Sequence, residues 1–319
     1  MYHRVTELDA DLWSMAVTPK HFAEHLEVLR EYGYPLHLQE LINKLVNYQP
    51  LQRQIVITFD DGYADNLYNA KPLLEKFDIP ATVFVTSSIM ERETEFWWDD
   101  LETILLRPAT LPNFLQFEVQ GINYQWELGE AANYSVNNQL QYSDWRFLKE
   151  PEENPTRRHT LYRAIYKLLR ILPADERQQI INELYIWAGS APKQRKTHHT
   201  LTKEELIMLE KGSLIEIGAH TVTHPYLSEY PVGFQRDEII HSKAHLEDIL
   251  NRDINSFAYP YGDYTTETVS LVKDLGFNCA CSCEFARVKT NTDLFLLPRI
   301  AVEDCDGDFF AKWLLKSAF

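Results

Sequence analysis

Apolar residues in this chain fall into short dense runs separated by amphipathic stretches, and their spacing predicts the elements. Gln54-Ile55-Val56-Ile57-Thr58-Phe59 and Ala81-Thr82-Val83-Phe84-Val85 are β-branched runs without polar alternation, which predicts buried strands. Between them, Asn66 to Phe77 has helical spacing. The same order returns later. Thr202-Lys203-Glu204-Glu205 is a capping box opening a helix that Gly212 stops, and a strand follows over 214–218. Then come a helix over 235–250, a strand over 256–259, a helix over 266–275 stopped by Gly276, and a strand over 277–281. Near the start, Thr18-Pro19 opens a helix whose apolar face is Phe22, Leu26 and Leu29 and which ends at Gly33. Such alternation predicts an α/β fold with parallel strands covered by helices. In barrels of this kind, chemistry gathers just past the carboxyl ends of the strands.

From about residue 91 to residue 200 the alternation breaks. This segment opens on Phe96-Trp97-Trp98-Asp99-Asp100, passes through polar stretches such as Asn133 to Asn138, and carries one long helical pattern from about Thr160 to Trp187. It reads as a largely helical insertion, 91–200, within a single domain spanning 1–319.

Charge narrows the partners. With 31 Lys+Arg against 47 Asp+Glu, the formal net charge is −16, which disfavours a nucleic-acid backbone and suits a neutral or cationic substrate. No apolar run reaches the roughly 18 residues that a membrane-spanning helix needs. Met1 to Glu7 lack the apolar core of a secretory signal, so a cytoplasmic location is expected. Oligomeric state is not legible. Four cysteines are too few and too clustered for a disulfide framework. Cys279, Cys281 and Cys283 alternate and so share one face of a strand, either as ligands for a soft metal or as small core residues. The flanking Phe277 and Phe285 favour the core.

Candidate chemistry stands at three strand ends. Asp60-Asp61 follows the first strand, His220 and His224 stand four apart after the strand over 214–218, and Tyr259-Pro260-Tyr261-Gly262 follows the strand over 256–259. Among 11 histidines a chance pair at this spacing is common, and His241 and His245 repeat it on a charged helix where they read as solvated. Two histidines joined by one aspartate form a facial set with open positions for water, suited to Zn²⁺ or another divalent first-row ion. A cation also offsets the repulsion between Asp60 and Asp61, so that one binds metal while the other accepts a proton.

Thr58-Phe59-Asp60-Asp61-Gly62, His220-Thr221-Val222-Thr223-His224 and Tyr259-Pro260-Tyr261-Gly262 resemble, in order and placement, three motifs of the polysaccharide deacetylases, the NodB-homology or carbohydrate esterase family 4 enzymes. The resemblance covers residues 1–90 and 200–305. It implies a distorted (β/α)7-type barrel that removes an N-acetyl group from an amino sugar, glycan or glycoconjugate. It also implies Asp60 as general base, Asp61, His220 and His224 as ligands of a divalent metal, and the Tyr261 backbone N–H as an oxyanion donor. Zinc is the expected metal, with Co, Ni or Mn as alternatives.

The family's late Leu-x-x-His motif is missing. Tyr2-His3-Arg4-Val5 instead resembles the circularly permuted subgroup that includes the poly-β-1,6-N-acetylglucosamine deacetylases, which implies His3 as general acid; the alternative is a flexible terminal histidine. Ala258 stands where the third motif usually begins with Arg. Arg299, after the apolar Leu294-Phe295-Leu296, is the candidate to grip Asp60 bidentately, unless it is a surface residue at a turn. Trp98, Asp99 and Tyr63 are candidate sugar contacts. Their alternatives are a Trp97-Trp98 anchor for the insertion and, for Tyr63 and Asp65, the start of the following helix. An O-acetyl esterase and an inactive carbohydrate-binding module are the competing functions. The mark of the latter, loss of a ligand or of the base, is not seen.

Overall fold

Five short strands, Ile57–Phe59, Ala81–Val85, Ile215–Ala219, Ser256–Ala258 and Cys279–Cys281, pair in chain order into one parallel sheet. They are seen in a computed structural model of the chain that describes residues 1–91, 95–147 and 154–317. Residues 92–94 and 148–153 of the expected insertion lie outside the described residues. Every residue of Ala81–Val85, Thr82 included, is buried, as a run without polar alternation requires of a strand covered on both faces. Gly218 lets its strand approach the next: a Cβ there would stand 2.5 Å from the Phe84 ring.

The sheet curls as half a barrel, and isolated pairings carry the ladder further round. Tyr2 bridges to Phe59 on one edge and Leu297 to Cys281 on the other. The Met1 nitrogen donates to the Ile300 carbonyl, and the Val302 N–H donates to the Met1 carbonyl. Those bonds close the ring of a distorted (β/α)7-type barrel. They also bring the segment after Leu297, and with it Arg299, beside the strand that ends in Phe59.

The chain divides into two compact units. One holds Met1–Leu8, Met15–Glu93 and His199–Phe319, and the other holds Asp9–Ser14 and Thr94–His198. Within the second, the expected long helix over 160–187 is two helices, Arg157–Leu169 and Ala174–Trp187. Pro173 precedes the second and cannot continue the first, because it has no N–H to donate. A hairpin of Phe114–Val119 and Ile122–Glu127 also replaces part of the expected helical content. Gln120 and Gly121 both have positive φ, as a two-residue type I′ turn requires. Leu115, Phe117 and Val119 face inward by strand alternation.

The barrel unit departs from expectation in three places. The continuous strand over 54–59 breaks at Val56: Gln54–Ile55 pairs with Tyr34–Pro35, while Ile57–Phe59 joins the main sheet. Helix Leu38–Val46 was not expected, and it buries Leu38, Leu41, Ile42 and Leu45 against Cys279, Cys281 and Leu297. The helix after the paired aspartates begins with a π turn, Asn66–Ala70, before Lys71–Phe77. Cys279 and Cys281 are core residues. Burial pushes the Cys279 thiol well above its usual range, and the ligand-type clusters among the described residues contain no cysteine.

Candidate active site

The turn after Phe59 separates its two carboxylates. Asp61 adopts φ 76 and Gly62 φ 93, and a Cβ on Gly62 would press within 3.0 Å of Val85. The Asp61 carbonyl accepts from the Thr86 N–H at 3.1 Å, tying this loop to the end of the neighbouring strand. Asp61 and Asp60 then meet different partners.

Asp61 Oδ1 lies 3.6 Å from His220 Nε2 and 3.3 Å from His224 Nε2. All three side chains are buried. His220 Nδ1 is 2.8 Å from the Ala258 carbonyl, which only accepts, so Nδ1 carries the hydrogen and Nε2 presents a lone pair. Burial pushes the Asp61 carboxyl up, but the imidazoles of His220 and His224 beside it outweigh that and hold Asp61 well below the usual carboxylate range. Burial lowers His224. An anionic carboxylate beside His224, whose charged form burial disfavours, and His220, whose Nε2 presents a lone pair, is a fitting ligand set for a divalent ion of the zinc kind.

The loop between the histidines is held by its own bonds. Thr221 and His224 both have positive φ, and the His224 N–H donates to Thr221 Oγ1 at 3.1 Å. Glu238, from the helix Val232–Leu250, accepts from the N–H groups of Val222 and Thr223 at 2.9 and 2.8 Å and from the Thr223 hydroxyl at 2.8 Å. Sequence reasoning missed Glu238. Its only mark was an acidic residue beside the apolar pair Ile239-Ile240.

Asp60 is gripped by Arg299 through two parallel bonds, Nη1 to Oδ1 and Nη2 to Oδ2, each 2.7 Å. Arg299 is itself oriented by its Nε donating to the Ser282 carbonyl at 2.9 Å and by Nη1 donating to Thr58 Oγ1 at 3.3 Å. Burial pushes Asp60 up, yet Arg299, helped by His220 and His3, holds it below its ordinary value. The buried carboxylate therefore stays ionised without being a member of the ligand trio.

Tyr261 has φ 58 and ψ 4. Its ring stacks on Tyr226 at 3.9 Å and meets the His224 ring edge-on at 4.4 Å. Asp263 accepts from the Ser228 N–H and hydroxyl at 2.7 and 2.8 Å, binding the two loops together. Tyr226 and Asp263 also escaped the sequence reading. Four non-glycine residues with left-handed backbone, Asp61, Thr221, His224 and Tyr261, thus gather in three loops at one end of the barrel. Each costs on the order of 1–3 kcal/mol, strain that folds tend to tolerate at functional sites.

His3 is half-buried and follows Tyr2, whose N–H donates to Thr58 and whose carbonyl accepts from Asp60. Tyr63 departs from expectation. It is 0 % exposed, with the Arg4 guanidinium 4.0 Å over its ring, so it offers a sugar no face. Asp65 does not cap the next helix, because Arg4 and Val5 take its carboxylate.

Trp98 and Asp99 belong to the inserted unit, where both are buried on helix Trp97–Leu106. Trp98 stacks on Phe96 at 4.4 Å. Asp99, Glu102 and His198 bring three ligand-type atoms within 4.8 Å of one another. There Arg195 reaches Glu102 at 2.9 Å and Glu95 at 2.7 Å, and Arg107 reaches Glu102 at 3.2 Å. Two guanidinium groups offset most of the charge of these carboxylates, so the cluster is an ion-pair network.

The profile described as "Polysaccharide deacetylase" matches residues 47–151 and 177–280, leaving His3 and Arg299 outside it. The Bacillus subtilis (strain 168) protein named "Putative polysaccharide deacetylase YxkH" is 32% identical over 137 residues, 42% of this chain and 48% of that protein. The chain therefore aligns with about half the length of that curated relative. Among solved structures, Streptococcus pyogenes deacetylase PplD in complex with acetate matches with a TM-score of 0.60 at 19% identity, covering 100% of this chain and 96% of that one. IcaB from Ammonifex degensii matches at 0.57 and 17%, covering 98% and 94%, and the BpsB deacetylase domain from Bordetella bronchiseptica at 0.52 and 15%, covering 94% and 93%. At these identities the structural likeness is one of fold. The family itself is shown by a profile that spans more than half the chain and contains both motif loops that meet at Asp61: the chain belongs to the polysaccharide deacetylase family.

Proposed function

We propose that this chain is a metal-dependent carbohydrate N-deacetylase, releasing acetate and a free amine from an N-acetylated amino sugar in a glycan or glycoconjugate. One observation carries the reading: a carboxylate kept ionised by Arg299 adjoins a carboxylate committed to two histidines. Asp61, His220 and His224 would hold the ion, and their donor set suits zinc first. When bound, the ion supplies positive charge that polarises the acetyl carbonyl and acidifies water. Asp60 takes the proton of the attacking water. The Tyr261 N–H, on its left-handed turn, donates to the carbonyl oxygen as negative charge develops there. His3 delivers a proton to the amide nitrogen, so that the C–N bond breaks to an amine and acetate. A chain of net charge −16 attracts the cationic product.

The test is acetate release from N-acetylglucosamine oligomers by protein stripped with chelator and then reloaded with zinc. Activity that disappears on stripping and returns on reloading supports the reading. Undiminished activity in the stripped protein, or failure to bind any divalent metal, removes it.

A further inference from the structure

The chemistry above uses only the first half of the stretch Asp60-Asp61-Gly62-Tyr63-Ala64-Asp65-Asn66; the second half holds the segment that carries His3. Asn66, 1 % exposed, donates from Nδ2 to the His3 carbonyl at 2.9 Å. Asp65 accepts from the Val5 N–H at 2.9 Å and pairs with Arg4, whose Nε and Nη2 stand 3.1 and 3.0 Å from its Oδ2. Arg4 is buried and lies over the Tyr63 ring. Asn69 donates to the Val5 carbonyl at 2.7 Å. On the other side of His3, the Tyr2 N–H and carbonyl are bonded to Thr58 and Asp60. His3 is therefore anchored on both sides by the strand and loop that also carry Asp60 and Asp61.

Its own strand would not hold it there, since Arg4–Val5 pairs with Ala16–Val17 over only two residues. Nor is the buried ion pair a strong source of stability. Burial pushes the Asp65 carboxyl up against the pull of Arg4, and a buried pair roughly repays its own desolvation. What such a pair contributes is a fixed place for the backbone.

We propose that Asn66, together with the Asp65–Arg4 pair, is the positioning device for His3, setting the acid at a fixed distance from the base and the metal ligands. The inference rests on the reading of His3 as the acid of an N-deacetylase. It makes one distinctive demand. An amide nitrogen must be protonated to leave, whereas the phenolate of an activated aryl ester leaves unaided, so misplacing the acid damages amide cleavage selectively.

The experiment compares zinc-loaded wild type, His3→Ala, Asn66→Ala, Asn66→Gln and Asp65→Asn on an N-acetylglucosamine oligomer and on 4-nitrophenyl acetate, with metal content measured for each. His3→Ala and Asn66→Ala should lower the amide-to-ester ratio of kcat by about 100-fold with KM little changed. Asn66→Gln should recover part of the loss. Asp65→Asn keeps an acceptor for Val5 but loses the charge, and should show the same selectivity with a smaller drop; it serves as the second variant if Asn66→Ala does not fold. Equal losses on both substrates, or no loss on either, for Asn66→Ala and Asp65→Asn overturn the proposal. If His3→Ala leaves the ratio unchanged, the acid assignment falls and the positioning claim with it. If wild type cleaves the ester and no amide, the N-deacetylase reading fails and takes the claim with it.

Discussion

Arg299 and Asp60, 239 residues apart in sequence, meet through two bonds of 2.7 Å inside the barrel. The cation holds the buried carboxyl below its ordinary pKa. Removing it as Arg299→Met leaves burial unopposed by its strongest partner, so the pKa of Asp60 rises. Because the base works only when ionised, the acidic limb of the kcat/KM profile should move to higher pH. A profile whose acidic limb stays in place would separate Arg299 from the base.

Glu238 makes three bonds to the loop carrying His220 and His224. Such outer contacts typically alter metal affinity by about 10–100-fold. Glu238→Ala should weaken zinc binding by that order in a competition titration while leaving the far-UV spectrum unchanged. Zinc affinity equal to wild type would show that the loop holds its shape without Glu238.

Asp100, in the inserted unit, predicts a pH-dependent stability. Burial raises its carboxyl to about 7, against the smaller opposing effect of the bond donated by Tyr185. The folded state thus keeps a proton that the unfolded chain has lost above about pH 4. The contribution is full below that pH and disappears as pH rises through 7, a swing on the order of 4 kcal/mol. Stability should fall between about pH 4 and 7, and Asp100→Asn should flatten that slope in denaturant titrations at each pH. An unchanged slope in the variant would assign it to other groups.

Part of the fold was legible because the strands Ile57–Phe59 and Ala81–Val85 are buried throughout and stand in the sequence as β-branched runs; Ala81–Val85 was read with its own bounds. The break at Val56 was hidden, since Ile55 and Ile57 look alike in sequence while pairing with different neighbours. The hairpin at 114–127 was lost to the helical patterns that follow it. In the candidate site, Asp60, Asp61, His220 and His224 stood out in the sequence as carboxylates and imidazoles placed just after strands, and the structure brings Asp61, His220 and His224 together. Tyr63 misled, because an aromatic beside a motif looks the same whether it faces a sugar or lies beneath Arg4. Glu238, Tyr226 and Asn66 act through contacts across the fold, and no local pattern marks such partners.

The central claim is that adjacent aspartates divide the work, Asp61 holding the metal and Asp60 acting beside it. Bound zinc per chain, measured with acetate release for Asp60→Asn and Asp61→Asn, tests this most directly. The account predicts that Asp60→Asn keeps its zinc while losing at least about 100-fold in acetate release, and that Asp61→Asn loses the zinc itself. If Asp60→Asn loses its metal as Asp61→Asn does, or releases acetate at the wild-type rate, the division of labour is contradicted.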